Sequence, residues 1–375
     1  MIIKLSGRID SSNAAQVEAD INRRLENYSG DIELDASELE YISSAGLRVI
    51  LRLKKSNAST KITNCCSEVY EIFDMTGFTE MMSVSKAYRK LSVEGCEVIG
   101  EGSNGKVYRT DPDTIVKVYK NPDSLEEIHN ERELARKAFV MGIPTAIPYD
   151  VVQVGDLYGS VFELLNAKSF SKLINSGESV DELAKQSIDI LKIIHGTTLK
   201  EGELPAKKQE ALRWAEYVKP HLPEDIADKI LTLFNDIPET CTMLHGDYHI
   251  KNIMRQGNEN LLIDMDTLSV GHPVFEFSQM YLAYLGFSET DPEEVKRFLG
   301  IDRSTAEQFW LSSLKYYFDG KDDSFINDVV VKSRIIGYVR LLRRTIKRLP
   351  DRTDIIDNCK QQLCSLVPLA NSLYY

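Results

Sequence analysis

Short apolar runs alternate with segments of helical periodicity up to about residue 85. The runs predict strands at 2–5, 31–34, 39–42 and 61–64. Apolar side chains three and four positions apart predict one helix through Val17, Ile21 and Leu25 and two more at 45–53 and 68–75. Polar residues at 10–13 and the pair Ser43 and Ser44 offer capping oxygens to the first two helices. Strands that alternate with helices indicate a small α/β domain with a largely parallel sheet.

The pattern changes near residue 92. Alternating residues at 107–109 and 115–119, joined by a turn at 111–113, predict a β-hairpin. Farther along, apolar stripes of helical spacing predict helices at 180–195, 210–218, 226–234, 275–285, 305–318 and 329–348. A β-rich part at 93–165 is therefore expected before a helical part at 166–375.

The net charge of the chain excludes one class of function, nucleic-acid binding. The 375 residues include 45 Lys or Arg and 57 Asp or Glu, for a net charge of −12. Such a protein lacks the excess of cations that neutralises nucleic-acid phosphates, so we expect no nucleic-acid partner. The basic segment 340–348 is interpreted as the solvated, cation-rich end of a helix, and a contact with an anion or a partner is the alternative.

Nothing in the sequence indicates a membrane or a secreted protein. No run of 18 apolar residues occurs, and residues 1–10 turn polar too early for a signal peptide. The six cysteines lack the paired spacing of a zinc site. We therefore expect a cytoplasmic protein with reduced thiols.

Three glycines precede the hairpin in a pattern that cradles phosphates. Gly100, Gly102 and Gly105 have the GxGxxG spacing, which a dinucleotide-binding loop also uses before a helix. Here a hairpin follows, and in that context the backbone amides close over the phosphates of ATP. Lys117 in the second strand would contact the α- and β-phosphates. A lysine there could also simply protect an edge strand.

A carboxylate from the next helix is expected to hold Lys117. Ile128, Glu131 and Ala135 share one helical face, which places Glu131 among apolar neighbours. Glu131 is our choice, and Glu133 is the alternative because helix phase is uncertain by a residue or two.

The segment 243–254 and the strand after it carry the strongest chemical signal. Phosphoryl transfer needs a carboxylate that orients the attacking hydroxyl and accepts its proton, together with oxygen ligands for Mg²⁺. Asp247 fits the first role. Asn252, five residues later, and Asp264, at the end of the following strand, fit the second.

These motifs resemble those of the aminoglycoside phosphotransferase and choline kinase superfamily, which is protein-kinase-like. The resemblance covers 93–375 and rests on His-Gly-Asp at 245–247 and Ile-Asp-Met-Asp at 263–266. It implies a bilobal α+β fold. The N-lobe is expected at 93–165, and the helical C-lobe at 166–375 is expected to hold the catalytic loop and the acceptor pocket.

The resemblance also implies ATP, Mg²⁺ and a small-molecule hydroxyl acceptor. The family's base and metal positions fall on Asp247, Asn252 and Asp264, and Asp266 matches an acidic position near a second magnesium. The carbonyl of Glu163 and the amide of Leu165 are expected to contact adenine. One departure is 271–276, where the family has Gly-Asp-Pro and a later Asp, and it concerns the local support of the metal loop.

The first part of the chain, residues 1–90, resembles a STAS domain, the fold of bacterial anti-sigma-factor antagonists. The resemblance rests on the segments 34–35, 41–47, 69–73 and 76–78. In that family a regulatory phosphoserine stands immediately before a glycine, and here Ala45 stands at that position. Ser43 and Ser44 are therefore interpreted as helix caps, and we expect the domain to dock rather than to switch.

The sequence thus predicts an α/β STAS-like domain followed by a small-molecule kinase. The alternative is a regulatory kinase or pseudokinase that acts on a protein partner recruited by the STAS domain. Deleting residues 1–90 should leave the catalytic rate of a small-molecule kinase unchanged. A partner-directed regulator should lose its target.

Overall fold

The computed structural model describes residues 1–102, 104–200 and 202–375. The chain forms two compact units, one of Met1–Glu94 with Val151–Gly159 and the other of Gly95–Asp150 with Ser160–Tyr375. Within the described ranges, no helix combines the length and the apolar character that crossing a bilayer requires.

A parallel sheet flanked by helices makes up most of the first unit, as the alternating pattern predicts. The strands are β1 (Ile2–Ile9), β2 (Ile32–Ile42), β3 (Thr60–Cys65) and β4 (Val84–Lys86), in the order β1-β2-β3-β4. The helices are α1 (Ala14–Arg24), α2 (Ser44–Ser56), α3 (Ser67–Met75) and α4 (Phe78–Met81). Apolar residues such as Leu34, Ile62 and Phe73 are fully buried between these layers.

The second strand is longer than predicted. Residues 39–42 form no separate strand, because β2 runs without a break to Ile42. The pairing of β1 with β2 shifts register at two places, and each shift accommodates one extra residue of β2, the first within 36–37 and the second at Glu40. The apolar pattern is interrupted there although the strand continues.

Side-chain capping is confirmed at Ser43 for α2, whereas Ser44 is the first residue of that helix, and the predicted capping of α1 is wrong. Ser43 accepts a hydrogen bond from the backbone N–H of Ala45 at 3.2 Å. Asn13 precedes α1 without capping it, since its Nδ2 donates to the carbonyl of Arg8 and its Oδ1 accepts from the N–H of Asp10. That amide closes the turn between β1 and α1 instead.

A short strand, β5 (Arg89–Lys90), also belongs to the first unit. It pairs in parallel with Val152 and Gln153. Tyr88 lies edge-on to Tyr158, with ring centroids 5.3 Å apart. These contacts hold the segment 151–159 to the first unit.

The second unit begins with strands, and the predicted hairpin is confirmed. The strands that follow are β6 (Glu97–Glu101), β7 (Gly105–Asp111), β8 (Thr114–Tyr119), β9 (Pro148–Val154) and β10 (Leu157–Glu163). Residues 151–154 of β9 and 157–159 of β10 belong to the first unit. The order β10-β8-β7-β6 describes the strands of the second unit, in which β7 pairs antiparallel with β8. The helix α5 (Leu125–Val140) follows β8.

Helices dominate the rest of the chain, as predicted. They are α6 (Phe170–Asn175), α7 (Val180–Gly196), α8 (Lys207–Val218), α9 (Glu224–Asn235), α10 (Val274–Tyr284), α11 (Glu293–Leu299), α12 (Arg303–Tyr317), α13 (Asp323–Arg348) and α14 (Thr353–Leu366). Short 3₁₀ turns occupy Lys219–His221, Gly286–Ser288 and Val367–Leu369. Small strands carry the chemistry-bearing loops: β11 (Lys168–Ser169), β12 (Met243–Leu244), β13 (Ile253–Gln256), β14 (Glu259–Leu262) and β15 (Ser269–Val270).

Two helices of this core approach each other at a glycine. A Cβ on Gly337 of α13 would lie 3.2 Å from the side chain of Leu282 and 3.3 Å from the carbonyl oxygen of Ser278, both in α10. α10 is buried along its whole length. This contact therefore sets the position of α13 relative to the loops that α10 supports.

Candidate active site

A cleft of about 320 Å³, within the range of small-molecule sites, is lined by described residues at the end of β6 and the start of β7. A Cβ on Gly105 would lie 2.4 Å from the carbonyl oxygen of Val118, so only glycine fits there. Gly100 and Gly102 line the same cleft.

The cleft has apolar and charged walls. Its apolar side chains include Val107, Ile115, Phe162 and Met265, and its charged ones include Lys117, Glu131 and Asp264. Among the described residues, the walls include neither Glu163 nor Leu165. Both follow Phe162 at the end of β10, and their predicted backbone contacts with adenine stay predictions.

Lys117 is held by Glu131, the first of the two carboxylates considered. Its Nζ lies 2.8 Å from Oε1 and 3.1 Å from Oε2 of Glu131, which is buried, whereas Glu133 is exposed. The hydroxyl of Tyr119 also donates to Glu131. Burial acts to lower the pKa of Lys117, but the charges of Glu131 and Asp264 outweigh it and raise that pKa. The lysine is a fixed cation.

Asp247 is held on several sides. Nε2 of Gln279 in α10 donates to its Oδ1 at 3.2 Å, and Nδ2 of Asn252 donates to its backbone carbonyl at 3.0 Å. Nε2 of His249 lies 3.5 Å from its Oδ2. Burial acts to raise the pKa of Asp247, but the contact with His249 and the charges of His249 and His245, with a smaller contribution from Arg340, hold it well below its ordinary value. The carboxylate is therefore ionised and oriented.

Asp264 and Asp266 form an acidic pair beside Lys117. The backbone φ of Asp264 is +68°, a conformation that few non-glycine residues adopt, and its Oδ1 lies 3.5 Å from Nζ of Lys117. Burial and the charge of Asp264 raise the pKa of Asp266 to about 7. Among the described residues, no cluster of three or more His, Cys, Asp or Glu side chains has a metal-binding arrangement. A cation here would need further ligands.

The loop that carries Asp247 is anchored by a buried glutamate. Oε2 of Glu276 accepts the backbone N–H of His245 at 2.6 Å, and Oε1 accepts that of Gly246 at 2.9 Å. Gly246 has φ +82°, and a Cβ on it would lie 2.5 Å from the carbonyl oxygen of Thr267. Glycine is therefore required between His245 and Asp247.

The segment 271–276, where the sequence departs from the family pattern, supplies two side-chain acceptors for backbone amides. Nδ1 of His272 accepts the N–H of Val274 at 3.2 Å, at the start of α10. Glu276, in place of the family's later Asp, is fully buried and binds the loop. Glu276 thus supports the loop that carries Asp247, and His272 supports the start of α10.

Several residues at the site carried no signal that the sequence analysis used. Gln279 lies outside every motif, Glu276 lies where the sequence departs from the family pattern, and the sequence assigns His249 no role. The prediction that 340–348 is only a solvated helix face is wrong for Arg340, which is half-buried with its guanidinium 5.4 Å from the ring centroid of Trp214. Helical periodicity from Gly337 could have indicated that Arg340 faces inward.

Comparison with known families agrees with this arrangement. The model of the phosphotransferase enzyme family matches residues 95–308. The chain belongs to that family.

Solved structures show the same fold. The ADP-bound aminoglycoside phosphotransferase APH(2'')-Ib is 16% identical, with a TM-score of 0.51 over 81% of this chain and 99% of that one. A thermostable mutant of APH(4)-Ia, in a ternary complex with AMP-PNP and hygromycin B, is 12% identical, with a TM-score of 0.53 over 74% of this chain and 95% of that one. The phosphotransferase part is thus kinase-like in fold.

The first part of this phosphotransferase is a STAS domain. The STAS family model matches residues 1–92. BtrV of Bordetella bronchiseptica, whose name describes it as an anti-sigma factor antagonist, is 32% identical over 91 residues, which are 23% of this chain and 78% of BtrV. The predicted two-part architecture is confirmed.

The ion pair of Lys117 and Glu131 gives a test that needs no acceptor. In the Glu131→Gln variant, Lys117 should turn toward Asp264, 3.5 Å away, and the dissociation constant for Mg·AMP-PNP should rise about tenfold or more. Glu133→Gln is the matched control, because Glu133 is an exposed residue of the same helix, and it should bind within twofold of the wild type. Calorimetry measures both values. Equal affinities in the two variants would remove Glu131 from the nucleotide site.

Proposed function

We propose that this phosphotransferase transfers the γ-phosphoryl group of ATP to a hydroxyl group of a small molecule, with Mg²⁺. The observation that carries the proposal is the approach of Lys117 to both Glu131 and Asp264, at 2.8 Å and 3.5 Å, beneath the Gly-rich loop. This arrangement places Lys117, a cation for the phosphates, and Asp264, a carboxylate for the metal, in one cleft.

The walls of the cleft suit a nucleotide. Amides of the loop at Gly100, Gly102 and Gly105 would close over the phosphates, and Lys117 would neutralise charge on them. The apolar walls would enclose the base, with backbone groups of Glu163 and Leu165 as its hydrogen-bond partners.

The acidic pair fits a magnesium ion. Burial and the charge of Asp264 both raise the pKa of Asp266, and a divalent cation would offset the repulsion between the two carboxylates. Asn252 is buried beside Asp247 and would add an amide oxygen. Bound there, Mg²⁺ would offset charge on the transferred phosphoryl group. Mg²⁺ commonly takes its other ligands from phosphates and water.

Asp247 would act on the acceptor. Its carboxylate would orient the hydroxyl and accept its proton as the oxygen bonds to the γ-phosphorus and the bond to the β-phosphate oxygen breaks, releasing ADP. Gln279 and His249 would keep the carboxylate in place during that step.

The test is ATP consumption with Mg²⁺ in the presence of aminoglycosides, choline, thiamine and sugars. We expect one class to stimulate turnover in the wild type and none to do so in Asp264→Ala. Asp319→Ala, a change at an exposed residue of the same unit, should behave as the wild type. Stimulated turnover that survives Asp264→Ala would contradict the proposal.

A protein acceptor is the second candidate, and the STAS domain with its similarity to BtrV favours it. The same assay distinguishes the two after removal of residues 1–86, a deletion that spares Tyr88 and β5, which contact the segment 151–159. A small-molecule kinase should keep its rate. A partner-directed enzyme should phosphorylate its target only when the STAS domain is present.

A further inference from the structure

Two arginines near the end of α13 lie over aromatic rings. The guanidinium carbon of Arg340 is 5.4 Å from the ring centroid of Trp214, and that of Arg344 is 5.3 Å from that of Phe287. Aromatic faces fix a guanidinium group in position and leave its charge and its N–H donors available.

The helix packing places Arg340 on the side of Asp247. Gly337 of α13 meets Ser278 of α10, and the next residue of α10, Gln279, donates to Asp247. Arg340 follows Gly337 by less than one turn, and its charge helps to lower the pKa of Asp247. Neither Arg340 nor Arg344 lines the nucleotide cleft.

The carboxylates that these arginines act on already have other partners. Glu210 lies 2.9 Å from Nζ of Lys207, and Glu294 lies 2.6 Å from Arg297. Glu276 binds the loop amides and Asp247 binds Gln279. In the described part of the chain, neither Arg340 nor Arg344 forms an ion pair with a carboxylate.

We propose that Arg340 and Arg344 bind an anionic group, a carboxylate or a phosphate, on the hydroxyl-bearing acceptor. This rests on the proposed function, because it places the acceptor beside Asp247. Two unpaired guanidinium groups attract such an anion and form paired hydrogen bonds with it. They repel a polycation such as an aminoglycoside, or choline.

The test uses acceptors that share one carbon skeleton and differ in charge. They are glycerol, glycerate, glycerol 3-phosphate and 3-amino-1,2-propanediol, with choline and kanamycin as further cations. Binding is followed as protection against thermal unfolding in saturating Mg·AMP-PNP, so that anions cannot act through the nucleotide site. Phosphotransfer is measured in parallel with ATP. We expect binding of glycerate or glycerol 3-phosphate, and weaker binding of glycerol and the cations. Comparison of glycerate with glycerol 3-phosphate shows whether a carboxylate or a phosphate is preferred.

Variants locate the effect. Arg340→Gln and Arg344→Gln should each raise the apparent dissociation constant for the preferred anion about tenfold, and glycerol should be affected less than threefold. Arg340→Lys keeps the charge and should recover part of the loss, which separates binding from a folding defect at Trp214. Arg343→Gln is the matched control, because Arg343 is on the same helix and lies over Tyr217 instead.

The outcomes separate the two proposals. Tighter binding or faster phosphorylation of a cationic acceptor would contradict the proposal that the acceptor is anionic. It would leave the proposed phosphotransfer standing. Absence of protection by either anion in the wild type, or equal affinities in Arg340→Gln and Arg343→Gln, would also overturn it. Protection by an anion that depends on Arg340, without transfer to any acceptor, would support the binding site and contradict the kinase.

Discussion

Replacing Asp247 with Ala should abolish phosphoryl transfer while the nucleotide still binds. We expect kcat to fall at least about 10³-fold, because the variant loses both the proton acceptor and the charge that orients the hydroxyl. The dissociation constant for Mg·AMP-PNP should change only a few-fold, because Asp247 does not line the nucleotide cleft. Single-turnover transfer of labelled γ-phosphate measures the first quantity and calorimetry the second.

Two further variants refine the test of Asp247. Asp247→Asn keeps the size of the side chain and should be nearly as inactive, whereas Asp319→Asn, an exposed change of the same kind, should have no effect. Because the pKa of Asp247 lies below its ordinary value of 3.8, its protonation should not reduce the rate of the wild type down to about pH 5. Activity of Asp247→Asn close to that of the wild type would remove Asp247 from the reaction.

Periodicity located most helices because each buries one apolar stripe. The clearest difference is at α13, predicted at 329–348 and observed from Asp323. The helix begins at Asp323 because the side chain of Asp322 caps it by accepting the N–H of Phe325 at 2.8 Å, and an apolar pattern does not register such a cap. The sequence also predicted a separate strand at 39–42, whereas β2 is continuous. Two exposed residues interrupt its apolar pattern while its backbone pairing continues.

The chemical residues of the site could be predicted because phosphoryl transfer limits both their types and their spacing. Lys117, Asp247 and Asp264 come from separate segments, and the structure brings Lys117 and Asp264 within 3.5 Å. The residues that position them were not predictable in the same way. Gln279 and Glu276 act through helix packing, and a helical pattern shows only that their helix is buried.

The basic segment of α13 shows what charge counting leaves out. Arg340 lies over Trp214 and its charge acts on Asp247, whereas some neighbouring cations face solvent. Neither the net charge nor the run of cations distinguishes Arg340 from those neighbours. The approach of Gly337 to α10 shows which face of α13 is turned inward. The overall acidity of the chain therefore says little about the charge of the acceptor that it binds.

Replacing Glu276 should give the largest loss of stability. Its carboxylate is fully buried and accepts two backbone N–H groups of the catalytic loop, and His195 lies 3.7 Å away. In Glu276→Gln one of these amides would face an NH₂ group, so two buried donors would compete for one acceptor. We expect the free energy of unfolding of the second unit to fall by about 3–5 kcal/mol.

Tryptophan fluorescence during urea unfolding measures this loss of stability in the second unit. The chain has two tryptophans, Trp214 and Trp310, and both lie in the second unit. Glu307→Gln, at an exposed residue, is the control and should unfold as the wild type does.

The effect of pH on Glu276 has a definite sign. Burial acts to raise the pKa of Glu276, but His195 and the hydrogen bond from Gly246 lower it below its ordinary value of 4.5. A carboxylate whose pKa falls on folding stabilises the protein above that ordinary value and loses its contribution as the pH drops through the lower, folded value. The difference between the wild type and Glu276→Gln should thus be constant near neutral pH and shrink in acid. A difference below about 1 kcal/mol at neutral pH would mean that the loop does not depend on this carboxylate.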